Sequence, residues 1–163
     1  MRRIERPQQQ GLPALALKVP PLALVAFAAA AMWLLPAVAA MPRLGPWHAW
    51  LCSVLAIMGA VLALAGALAL RQAGTTVDPM QPAAATTHVI RGIYRHTRNP
   101  MYLGFLFALL AWALYLAKLS AFAILLLFVG YLTVFQIKPE ERALRDRFGA
   151  DFDAYAMRVR RWL

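Results

Sequence analysis

R-G-I-Y-R-H-T-R-N-P-M-Y-L-G, Arg91 to Gly104, is where basic, polar and aromatic residues crowd against the start of a long apolar run. Pro100 has no backbone N–H, so it is tolerated at the first position of a helix and poorly inside one. Asn99 is pushed towards extended geometry by the proline that follows and suits an N-cap. The spacing predicts a helix over Met101–Leu116, capped by Asn99 and flanked by Arg91, Arg95, His96 and Arg98. Free N–H groups at a helix start beside guanidinium groups suit a carboxylate or a phosphate. Taken alone, the same residues serve equally well as interfacial anchors of a membrane helix.

Composition sets the class. Hydrophobic residues make up 62% of the 163-residue chain, too many for a soluble domain of this size. The expectation is an all-α, polytopic membrane helix bundle of about four transmembrane helices with a cytoplasmic amphipathic C-terminal helix. The net charge of +10 does not signal nucleic acid, because the basic residues sit between apolar runs and no nucleic-acid motif is present. Basic flanks of this kind orient membrane proteins and attract anionic lipid. Cys52 is alone, and His48, His88 and His96 lack the spacing of a zinc pair, so no metal is expected.

Outward from the quoted stretch, residues 1–19 read as a basic cytoplasmic tail and 20–163 as a single membrane domain. Spans are expected at about 20–41, 47–70, 101–117 and 119–137. A basic start, an apolar core and Ala37–Ala40 also describe a signal peptide, but the apolar stretch fills a membrane, which favours a retained span. Trp47 and Trp50 read as interfacial aromatics. Ala56, Gly59, Ala63, Gly66 and Ala67 line one side of the second span and form its natural packing seam. The polar connection from Arg71 to Asn99 is long enough to carry function. The run Met101–Ile137 is twice the length of one span, so a hairpin turning near Ala117–Ser120 is expected.

Residues 139–163 read as polar C-terminal helices. Gly149 suits a stop and Asp151 a new cap, after which Phe152, Tyr155, Val159 and Trp162 recur at helical spacing, as in a helix lying on a membrane. With four spans, 15 of the 17 Lys and Arg residues fall on one side, leaving Arg43 and Lys118 on the other. That bias makes the N- and C-termini cytoplasmic.

A second polar cluster, K-P-E-E-R-A-L-R-D-R-F-G at Lys138–Gly149, changes the weight of the first. R-N-P-M-Y-L-G (Arg98–Gly104), about two spans, and then E-E-R-A-L-R-D-R-F-G-A-D-F-D-A-Y (Glu140–Tyr155) resemble the isoprenylcysteine carboxyl methyltransferase and phospholipid methyltransferase family of integral membrane enzymes. The weaker G-T-T-V-D-P (Gly74–Pro79) and G-I-Y-R (Gly92–Arg95) sit upstream where such proteins carry similar residues.

The resemblance implies S-adenosylmethionine as cofactor, membrane lipids as surroundings and a lipophilic methyl acceptor. It places Asn99, Pro100 and Tyr102 with Arg98 on one wall of a cofactor pocket, and Glu140, Glu141 and Arg145 on the other, with His96 nearby. Arg98 and Glu141 are the expected catalytic pair, Arg98 orienting an anion and Glu141 facing the acceptor. There is no G-x-G-x-x-G and no alternation of strand and helix, so the cofactor would not sit in a Rossmann fold. The isoprenylcysteine enzymes carry His where this chain has Asn99, which cannot titrate, so an isoprenylcysteine substrate is not implied. The Ala-, Leu- and Arg-rich composition points to a bacterial inner membrane. A noncatalytic membrane scaffold is the alternative. A transporter would want polar residues within the spans, which are nearly free of them.

Overall fold

The computed structural model describes residues 16–42, 45–75, 87 and 89–163. The expectations for the basic tail therefore fall largely outside the described residues, as do those for Arg43, Thr76, Asp78 and His88. In chain order the elements are α1 (Pro21–Leu34), α2 (Trp47–Gln72), a 3-10 turn (Gly92–Arg95), α3 (Pro100–Leu116) and α4 (Leu119–Tyr131). A π-helical turn (Leu132–Ile137) follows, then α5 (Lys138–Phe148) and α6 (Ala150–Arg158). Among the described residues there is no β-strand beyond an isolated bridge of Ala40 with Lys118.

Two helices are long and apolar enough to cross a membrane, fewer than the four expected: α2, and the continuous helix Leu119–Phe148. The other two apolar helices are cut short for identifiable reasons. Pro36 disfavours helical geometry at Leu35, whose ψ of 139° is extended, so α1 stops after 14 residues and about 21 Å. Ala117 adopts the left-handed conformation (φ 49°) and ends α3 after 17 residues, about 26 Å. The turn falls where the sequence puts it.

Beyond α1, the segment to Met41 wraps over that turn. Lys118 donates through Nζ to the carbonyls of Trp33 (2.8 Å) and Leu35 (3.2 Å), and Ser120 donates to Pro36 O at 2.9 Å. An ammonium at the carbonyl end of α1 satisfies acceptors the helix cannot.

The core lies between α1, α3 and the Leu119–Phe148 helix, where Met32, Leu109, Ala113, Ala121, Leu125 and Phe128 are buried. The outer face of α2, with Trp47, Trp50, Ile57, Val61 and Leu64, is exposed and apolar. That is a surface for lipid rather than water. The expected small-residue seam closes α2 on α3: Gly59 and Gly66 are buried, and a Cβ at Gly104 would lie 2.5 Å from the Gly59 carbonyl oxygen and 2.6 Å from Ala63 N.

The second long helix passes through Pro139 without breaking. Pro139 has no N–H to give to the carbonyl four residues earlier, that of Phe135. Leu17 N donates to that oxygen instead, at 3.0 Å. Gln136 Nε2 fixes the same N-terminal segment by donating to Val19 O at 2.6 Å. The polar α5 then carries the helix beyond its apolar part.

The end of the chain departs from expectation. The Phe152 and Tyr155 side chains of α6 turn against Leu144 and Phe148 of α5, so its apolar face covers protein rather than membrane. Gly149 (φ 53°), not Asp151, takes the cap position. The helix stops at Arg158, and Val159 is extended, because the following carbonyls accept hydrogen bonds from the start of α3. Trp162 leaves the helical register and packs against the main core.

Gly104→Ala should destabilise the fold by about 1–3 kcal/mol, since backbone atoms of α2 cannot yield to the added methyl. Gly130→Ala, with nothing within 4 Å of its added Cβ, should be neutral or slightly stabilising. Thermal unfolding of both variants in detergent checks the seam; equal melting temperatures would contradict it.

Candidate functional site

The loop before α3 is built to hold one conformation. Gly92 (φ 60°) opens the 3-10 turn, which buries Tyr94. The Tyr155 hydroxyl of α6 donates to the Tyr94 carbonyl at 2.7 Å. Burial pushes the Tyr155 phenol up to about 12, so it stays protonated as that donor. Thr97, Asn99 and Pro100 are buried in succession. Asn99 is the N-cap residue and Pro100 opens the helix, as the sequence predicts, but the Asn99 side chain does not cap. It donates through Nδ2 to the carbonyl of Arg161 at 2.9 Å. Thr97 Oγ1 accepts from Asn99 N (3.2 Å) and donates to Arg161 O (3.3 Å), while Arg98 N donates to Arg160 O at 3.0 Å.

Two carboxylates approach from the first turn of α5. The Tyr102 hydroxyl donates to Glu140 Oε2 at 3.1 Å. Burial pushes the Glu140 carboxyl up to about 7, although the residue as a whole keeps some exposed surface. The Tyr102 hydrogen bond pulls against that rise and neighbouring Glu141 adds to it. Glu141 is buried between two guanidinium groups. Arg161 grips it in the bidentate manner, Nε to Oε1 at 3.0 Å and Nη2 to Oε2 at 2.7 Å. Arg98 reaches Oε1 only through Nη2, at 3.4 Å. Its Nε is buried without a hydrogen-bond partner.

Of the residues expected to form the site, Arg98, Asn99, Pro100, Tyr102, Glu140 and Glu141 gather at one end of the bundle. Arg145 does not join them: its Nε pairs with Asp153 Oδ1 at 2.7 Å, and its guanidinium sits 5.6 Å over the Phe152 ring, on the exposed side of α5. His96 is exposed on the loop before Thr97. Two members of the cluster are absent from the sequence reading, Thr97 and Arg161. Arg161 stands in a run with Arg158 and Arg160, and nothing in that run distinguishes the one that turns inward.

The model of the phospholipid methyltransferase family matches residues 47–151, from the start of α2 into α6. The chain belongs to that family. An uncharacterized protein of Haemophilus influenzae is 41% identical over 63 residues, which is 39% of this chain and all of that protein. No solved structure matches. Membership makes this a chain of a membrane methyltransferase family, and the family match spans both arms of the cluster, Thr97–Tyr102 and Glu140–Glu141. Arg160–Trp162 lie beyond it.

The raised Glu140 carboxyl has a consequence for stability. The folded group holds its proton where an unfolded one has lost it, so its contribution is fully present below about 4.5 and lost as pH rises through about 7. Glu140→Gln should flatten that loss, melting several degrees above the parent at about pH 8 and close to it at about pH 5. Tyr102→Phe should move the loss to higher pH. Melting curves at both pH values decide; an unchanged pH slope in Glu140→Gln would contradict the assignment.

Proposed function

We propose that this chain is an integral membrane methyltransferase that uses S-adenosylmethionine to methylate a lipid-borne or other membrane-embedded acceptor. The observation that carries the reading is the meeting of Arg98, Tyr102, Glu140 and Glu141 at one end of a bundle that belongs to a methyltransferase family. α1, aided by the segment to Met41, and α3 complete a four-span bundle with both ends cytoplasmic, supported by the charge bias of the sequence. A bacterial inner membrane is the setting that this composition fits.

The residues fit the cofactor. Arg98 brings a guanidinium whose buried Nε lacks a partner, suited to the carboxylate of an amino-acid moiety. Tyr102, buried and bonded through its hydroxyl to Glu140, holds that carboxyl beside the cluster. Held there, S-adenosylmethionine would supply an electrophilic methyl group for the acceptor's lone pair, with the electron pair of the broken carbon–sulfur bond left on sulfur. The protein positions the partners and excludes water. Glu141 has both carboxylate oxygens taken up by guanidinium groups. Glu140, with its carboxyl near neutrality, suits the proton shed by an amine acceptor better, which reverses the roles expected of the two acids. A lipophilic acceptor enters sideways from the bilayer and places its head at this cluster.

The alternative, a noncatalytic scaffold, is separated by cofactor binding. Calorimetry in detergent with chelator present should detect S-adenosylmethionine or its demethylated product, and Tyr102→Ala with Glu140→Ala should weaken binding at least about tenfold, roughly 1.4 kcal/mol. Radiolabelled cofactor incubated with extracted bacterial lipids should yield labelled lipid. A folded protein that gives neither heat nor thermal stabilisation would favour the scaffold.

A further inference from the structure

Glu141 has more positive charge around it than it can use. Arg161 makes two hydrogen bonds to it, one to each oxygen, while Arg98 makes one long contact. Two guanidinium groups on one carboxylate leave a surplus of one positive charge in a largely buried place. A buried charge without a full complement of partners is costly, and such surplus is expected where a ligand completes the set. The Arg98 side chain is 14% exposed and its Nε has no partner, whereas the Arg161 side chain is 34% exposed and pairs with Glu141 through Nε and Nη2. The surplus therefore resides on Arg98.

The strap that delivers Arg161 is tied down independently of the charge. Arg98 N, Asn99 Nδ2 and Thr97 Oγ1 all donate to its carbonyls, and Trp162, half-buried, packs against the core. Asn99, read from the sequence as a helix cap, is spent on holding it. We infer that Arg160–Trp162 forms a third wall of the site, and that Arg161 is a positioning residue which occupies Glu141 and thereby leaves Arg98 free to bind an anionic group. This rests on the methyltransferase reading. The anion is a carboxylate or phosphate, and it has two sources: the amino-acid carboxylate of the cofactor, or the phosphate of an acceptor lipid.

The test measures anion preference in the full-length protein in detergent. One arm compares binding of S-adenosylmethionine with that of decarboxylated S-adenosylmethionine. The other compares KM for a phosphate-bearing lipid amine with that for its phosphate-free counterpart. A preference of about tenfold or more in the first arm assigns the cofactor carboxylate, and one in the second assigns the lipid phosphate; either supports the inference. Arg161→Gln should then reduce the preference at least fivefold, because Arg98 collapses onto the unguarded Glu141. Removing the negative charge as well, in Arg161→Gln with Glu141→Gln, should restore it, which lost packing alone would not do. Melting curves confirm that each variant is folded, and Arg158→Gln, at an exposed position of α6 outside that wall, should behave as the parent.

Cofactor binding with no anion preference in either arm overturns the inference while leaving the methyltransferase reading intact. So does a preference unaffected by Arg161→Gln, or one that the double variant fails to recover. Absence of cofactor binding in the folded parent overturns both.

Discussion

The carboxylate of Glu141, gripped by Arg161 and touched by Arg98, ties together three stretches of chain that are far apart in sequence. Its cost is desolvation of three charges, and the cost is bearable only because the bidentate geometry and the surrounding backbone bonds are good. Loss of the carboxylate would leave two guanidinium groups facing each other with no anion between them. The loop before α3, the first turn of α5 and the end of the chain are therefore held to one arrangement. The Tyr102–Glu140 pair then sits beside it at a fixed distance rather than on two independently moving helices.

That arrangement also depends on how α3 is anchored from behind. Gly59 and Gly104 let α2 and α3 approach until backbone meets backbone, and Pro100 and Met101 press on Gly66 one level closer to the site. Contact between backbones is less forgiving than contact between long side chains, so the start of α3 has little freedom to slide. Lys118 does comparable work at the other end by holding α1 to the α3–α4 turn. The site is thus placed by a rigid seam rather than by its own polar contacts alone.

How much of this is legible in the sequence follows from whether the cause is local. Pro100 marks the start of α3, and glycines at three- and four-residue steps mark the seam, because these are properties of neighbouring residues. Most of the candidate site follows from resemblance in R-N-P-M-Y and E-E-R. What does not follow depends on partners distant in sequence. The Asn99 side chain makes no cap bond, and its Nδ2 is committed instead to Arg161 O, 62 residues further on. Arg145, four residues after Glu141, faces away because Asp153 and Phe152 hold it there. The short reach of α1 follows from Pro36, a local signal that the bulk apolarity of 20–41 hides.

The wide turn Leu132–Ile137 bears on the heading of the two acidic residues. A π-helical turn takes up roughly one more residue than an α-helical one, so the side chains beyond it are rotated by about 100° from where a regular helix would point them. The same continuous rod therefore turns Leu125 and Phe128 toward the core on one phase and Glu140 and Glu141 toward the start of α3 on another. Pro139 lies just beyond this turn, and the N-terminal segment at Leu17 seals the Phe135 carbonyl that the proline leaves without a donor. In effect the helix carries an inserted residue that acts as an azimuth adjustment, letting the apolar and the polar half be aimed independently.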